Sequence, residues 1–86
     1  MKKFICPVCG CRTLNGRGED EICQVCYWQD DGMYDEYEPN GANNGLTILQ
    51  AKDNFVKCGA FDEEFAKSTR KPVKSEITDH YLKLIK

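Results

Sequence analysis

No apolar run in the 86 residues approaches the roughly 20 that cross a bilayer as a helix, which excludes a helical membrane span. Lys2 and Lys3 resemble the basic start of a secretion signal, but the CPVCG stretch at Cys6–Gly10 interrupts the apolar segment that would have to follow. The expectation is a cytoplasmic protein without an export signal. In that reducing compartment, paired cysteines are metal ligands more often than disulfides. Histidine is nearly absent: His80 stands alone, has no cysteine near it and reads as a partly exposed helix residue. Also missing are a serine or cysteine nucleophile motif, a glycine-rich phosphate loop and a paired-carboxylate pattern, so no enzymatic activity is expected. Nor is there an excess of one charge. The formal net charge is -2, becoming about −4 if four thiolates hold one divalent cation. Phosphate recognition draws on clustered cations, and Lys67, Arg70, Lys71 and Lys74 read instead as a solvated face or helix end. Nucleic acid is therefore not the expected partner, and another protein is.

What the chain does have is cysteine, six in all: Cys6, Cys9, Cys11, Cys23, Cys26 and Cys58. ICPVC at Ile5–Cys9 returns as ICQVC at Ile22–Cys26. Two-residue spacing lets one tight turn aim both sulfurs at a single point, and two such knuckles supply all four corners of a tetrahedron. Cys6, Cys9, Cys23 and Cys26 are accordingly the expected metal ligands, with one zinc per chain and iron as the alternative, since a tetrathiolate site accepts either. Gly10 supplies the positive φ that closes the first turn. Tyr27 stands at the equivalent place, so the second turn must close differently or bear strain. Ile5 and Ile22 are expected to pack beneath the metal in a pseudo-twofold arrangement. Cys11 and Cys58 read as small core residues, with Cys11, two residues from Cys9, a stand-in ligand if the first turn slips, although Cys6 and Cys9 have the better geometry.

Between the knuckles, Asn15-Gly16 and Gly18 are hairpin signals, with Arg12–Leu14 and Glu19–Ile22 as the expected strands. The following segment, Tyr27–Gly45, is rich in aromatics, acids and turn formers. Asp30, Asp31, Asp35 and Glu36 do not match the spacing of an EF-hand and read as a solvated loop. Tyr27, Trp28, Tyr34 and Tyr37 read as cover for a small core, with Trp28 also a possible binding residue. A helix is expected from a Thr47/Gln50 capping box and a Leu46/Ala51 staple to a Gly59 stop, placing Ala51, Phe55 and Cys58 on one face. A second short helix is expected over Asp62 to Thr69, ending before Pro72. In the tail, Ser75 is the expected cap of a helix carrying Ile77, Tyr81, Leu84 and Ile85, docked on the domain or paired with a second copy.

CPVCGCRTL, EICQVCYWQDDG and GANNGLTILQAKDNFVKCGAFDEEF together resemble the bacterial cysteine-rich CPCC family, over most of Cys6–Phe65. The resemblance implies a small metal-binding domain without an assigned activity, with Cys6, Cys9, Cys23 and Cys26 on the family's cysteine pairs. Val8 stands where the family has its third cysteine, and Cys11 where an aromatic is more usual. A weaker resemblance is to rubredoxin, whose two knuckles hold iron. The fold class that follows is a small α+β domain: a zinc-ribbon-like hairpin with two C-x-x-C knuckles, then two or three short helices. Residues 1–72 form the zinc-ribbon-like domain, and 73–86 an amphipathic helix docked on it. The function read from these features is structural zinc binding in a protein-interaction module. A nucleic-acid-binding zinc ribbon and a rubredoxin-like iron electron carrier are the alternatives, and the oligomeric state is open.

Overall fold

A C-x-x-C turn needs backbone on both sides to hold its ends together, and in the computed structural model of this chain each turn carries its own short hairpin. Residues 3–86 are described, so Lys2 of the basic pair lies outside the described residues. Strand β1 (Phe4–Ile5) pairs antiparallel with β2 (Arg12–Leu14), and β3 (Glu21–Ile22) with β4 (Gln29–Asp30). This corrects the expected hairpin between Arg12–Leu14 and Glu19–Ile22. The reason is local: the knuckle itself is the turn. In the first, the Cys6 N–H donates to the Cys11 carbonyl at 2.9 Å and the Gly10 N–H to the Cys6 carbonyl at 3.0 Å. In the second, Cys23 donates to Trp28 at 2.9 Å and Tyr27 to Cys23 at 2.7 Å. Once these bonds form, β2 faces β1, and Asn15-Gly16 is left in a connecting loop. The Glu21 carboxylate reaches across that loop to the Asn15 N–H and side-chain amide at 2.7 and 3.0 Å.

The symmetry is imperfect. In the second hairpin the register is regular, Glu21 opposite Asp30 and Ile22 opposite Gln29. In the first, Phe4 opposes Leu14 but Ile5 opposes Arg12, which leaves Thr13 as an extra residue in a β-bulge. Ile5 is half-buried and Ile22 is exposed, so the expectation that both lie beneath the metal fails. Val8 and Val25, inside the knuckles, are the buried equivalent pair.

Helix α1 (Ile48–Cys58) forms as its sequence caps require. The Thr47 hydroxyl accepts from the Gln50 N–H, the Gln50 side chain accepts from the Thr47 N–H, and Gly59 closes the other end at φ 82°. Ile48, Ala51 and Phe55 are its buried face, whereas Cys58 is only half-buried. Beyond it the expected helix over Asp62 to Thr69 is reduced to one 3-10 turn, Glu63–Phe65, capped by Asp62. In the tail, Lys74–Glu76 is another 3-10 turn, and α2 (Asp79–Leu84) starts from Thr78 rather than Ser75. Thr78 takes the cap because its hydroxyl accepts from the Tyr81 N–H at 3.2 Å. Of the expected apolar stripe, Tyr81 and Leu84 pack on the core, while Ile77 and Ile85 are exposed.

Trp28 is fully buried at the centre of this core, with its ring edge-on to Phe61 at 5.6 Å; Phe61 in turn stacks on Phe65 at 5.4 Å. Burial closes Trp28 to the binding role, and it is core alone. Tyr34 and Tyr37, by contrast, are exposed. The Asn43 side chain does the work of a missing strand beside β4. Its Oδ1 accepts from the Gln29 N–H at 2.8 Å and its Nδ2 donates to the Gln29 carbonyl at 3.0 Å. Asp30 is buried, not solvated as expected, because its carboxylate accepts from the Gly18 and Gly32 N–H groups at 3.2 and 3.4 Å. No helix among the described residues is long and apolar enough to cross a membrane.

Candidate metal centre

Each hairpin closes its own knuckle, and the two knuckles lie against each other in the fold. The Sγ atoms of Cys6, Cys9, Cys23 and Cys26 all lie within 4.8 Å of one another, and all four side chains are buried. The closest cross-knuckle pairs are Cys6 with Cys26 at 3.5 Å and Cys9 with Cys23 at 3.6 Å. A tetrahedron with metal–sulfur bonds of about 2.3 Å has edges of about 3.8 Å, so the donor set fits a tetrathiolate ion in size and chemistry. Cys11 and Cys58 are outside the group. Cys11 is fully buried beside it, and its N–H donates to the Cys9 sulfur at 3.5 Å. The Cys58 thiol points to the Ala60 carbonyl. His80 is exposed on α2.

The backbone around the sulfurs shows how each turn closes. Gly10 has φ +80° and Tyr27 φ +74°, with matching hydrogen bonds, so the second knuckle keeps the geometry of the first and bears the strain. A bulky residue in the left-handed region costs on the order of 1–2 kcal/mol. Stacking of the Tyr27 ring on Phe65, 5.0 Å between centroids, offsets part of it. Each knuckle is also braced from outside. The Phe61 N–H donates to the Cys26 carbonyl at 2.8 Å and the Arg70 N–H to the Gln24 carbonyl at 3.2 Å. On the other side the Thr78 hydroxyl donates to the Gly10 carbonyl. A Cβ on Gly10 would lie 2.8 Å from the His80 Cβ and the Tyr81 nitrogen, so only glycine lets α2 approach this closely.

Thr13 is the residue that spacing rules overlooked. Its hydroxyl, on the bulge of β2, donates to the Cys23 sulfur of the opposite knuckle at 3.0 Å. The surroundings act on Cys9, Cys23 and Cys26 in different directions. Cys23 is pulled below its ordinary value, first by Cys26, then by Cys6, Cys9 and Thr13, all of which donate hydrogen bonds to its thiolate. Cys26 is pushed up, chiefly by burial, and Cys9 is pushed up, first by Cys11. Four thiolates in so small a buried volume would repel one another, and a bound cation would offset that charge.

A family model described as Cysteine-rich CPCC matches residues 4–76, which spans both knuckles, α1 and the turns that brace them. The chain belongs to the cysteine-rich CPCC family. No curated protein and no solved structure matches it. In this CPCC chain the place of the third cysteine is filled by Val8, which is buried and whose N–H donates to the Cys6 sulfur at 3.5 Å. The motif residues beyond the knuckles have structural roles: Trp28 fills the core, Asp30 gathers two loop N–H groups, and Asn43 pairs with β4. The family match ends at residue 76, whereas α2, which follows it, is the element docked on Gly10.

Proposed function

We propose that the chain is a structural zinc domain in which Cys6, Cys9, Cys23 and Cys26 hold one zinc ion, and that it serves as a protein-interaction module without enzymatic activity. The observation that carries the metal reading is the buried group of four sulfurs from two hairpins, all within 4.8 Å. Zinc would supply charge neutralisation and a tie between two hairpins whose two- and three-residue strands hold little core of their own. With four protein thiolates the coordination shell is full, which is the character of a structural rather than a catalytic site. Elemental analysis of protein purified without added metal tests this: about one zinc per chain and no visible absorption are expected. Stoichiometric iron with a red chromophore would replace zinc by the electron-carrier reading.

The interaction reading draws on charge. The formal net charge of -2 and the pairing of Arg70 with Glu76, at 2.8 Å, leave the Lys67–Lys74 segment a poor phosphate track. Binding to DNA or RNA is expected to be weak and to vanish at moderate salt. A submicromolar, sequence-selective complex at physiological salt would reverse that assignment.

A further inference from the structure

We infer that a groove beside the first knuckle is the docking site for an extended acidic peptide segment that also carries apolar side chains, supplied by a partner protein. The inference rests on the interaction-module reading and adds to it the place and the chemistry of the partner. The groove measures about 620 Å³ and lies where the first knuckle, the Arg17 loop and α2 meet. That volume is within the range of about 300–1,000 Å³ typical of ligand clefts.

Its floor is apolar, formed by Ile5, Pro7, Val8 and Leu84. Its rim carries Arg17, Lys52, His80 and Lys83, with Glu36 at its edge paired to Lys52. In a chain whose acids outnumber its bases, 14 to 12, Arg17, Lys52 and Lys83 around one apolar floor are a local reversal of charge. Among the described residues, Lys52 pairs with Glu36 at 3.4 Å, whereas Arg17 and Lys83 form no ion pair. The Arg17 guanidinium is held over the rings of Phe4 and Tyr34, at 5.7 and 5.6 Å from their centroids. It is therefore presented in a fixed place, where ordering it for a carboxylate costs less side-chain entropy.

An apolar floor favours an occupant with apolar side chains, and a cationic rim favours carboxylates. Nucleic acid fits less well. A phosphate backbone has no apolar side chains to set against Ile5, Pro7, Val8 and Leu84, whereas a peptide can alternate carboxylates with apolar residues. The floor is built from the first knuckle, so the groove exists only while that knuckle is folded. Partner binding should for that reason require the metal without touching it.

The test uses the full zinc-loaded chain and three synthetic twelve-residue probes: alternating Glu and Leu, alternating Glu and Ser, and alternating Lys and Leu. A single-stranded oligothymidine serves as the fourth. The Glu–Leu probe should shift the amides of Val8, Gly10, Arg17 and Lys83, with the Glu–Ser and Lys–Leu probes at least tenfold weaker. The double variant Lys52→Glu/Lys83→Glu should keep one zinc per chain, lose the Glu–Leu probe by at least tenfold and gain the Lys–Leu probe. Equal binding of all three peptides, shifts elsewhere on the surface, or an unchanged double variant would overturn the groove. A protein partner whose binding the double variant leaves intact would overturn the groove and leave the interaction reading standing. Tighter binding of oligothymidine at the same amides would overturn both.

Discussion

Replacing Thr13 by valine removes one hydroxyl and almost no volume, which isolates its hydrogen bond to Cys23. The donor is 3.0 Å from the sulfur and the residue is buried, so water cannot take its place. A hydrogen bond to a charged acceptor contributes about 1.5–3 kcal/mol. At 1.4 kcal/mol per factor of ten, Thr13→Val should weaken metal binding by about 10- to 100-fold. The site should still fill to one ion per chain at saturating metal, because all four sulfurs remain. Competition with a chelator of known affinity gives the number directly, and Thr13→Ser, which keeps the hydroxyl, should recover most of the loss. The reasoning fails if Thr13→Val binds within about twofold of wild type. It fails equally if Thr13→Ser is as impaired as Thr13→Val, since the cause would then be packing on the bulge.

Zinc binding at such sites is worth about 10–16 kcal/mol, comparable to the whole stability of a small domain. Chelation should therefore abolish amide dispersion around both knuckles while α1, which has its own caps, keeps part of its helical circular dichroism. Cys6→Ser, Cys9→Ser, Cys23→Ser and Cys26→Ser should each resemble chelation; Cys11→Ser and Cys58→Ser should retain one zinc and lose about 1–2 kcal/mol, measured by denaturation. Cys11→Ser emptying the site while Cys9→Ser leaves it full would reassign the first knuckle. Gly10→Ala should keep the metal yet undock α2, because its Cβ would lie 2.8 Å from backbone and side chain there; unshifted Tyr81 and Leu84 resonances would refute that. Asn43→Ala leaves the Gln29 N–H and carbonyl without their amide partner and should cost about 2–3 kcal/mol in the zinc-loaded protein, with a loss below about 1 kcal/mol counting against the strand-replacement role.

Features that depend only on neighbours along the chain are legible before the fold is known. Two-residue spacing makes each cysteine pair a single turn, so the four candidate sulfurs could be named from ICPVC and ICQVC alone. The α1 caps are equally local, since Thr47, Gln50 and Gly59 act on backbone within a turn of themselves. The rest depends on contacts between segments far apart in the chain. Strands of two or three residues carry too little alternation to declare their partners, so only the knuckle hydrogen bonds reveal that β2 pairs with β1. Asp30 looks like part of an acidic run until the Gly18 and Gly32 N–H groups, one of them twelve residues away, converge on it in the fold. Thr13 has no motif, because its partner sulfur is on the other hairpin and a bulge turns it inward. The place of the tail was equally hidden: α2 rests on Gly10, 68 residues from Thr78, where the absence of a side chain leaves room for a backbone that no local pattern announces.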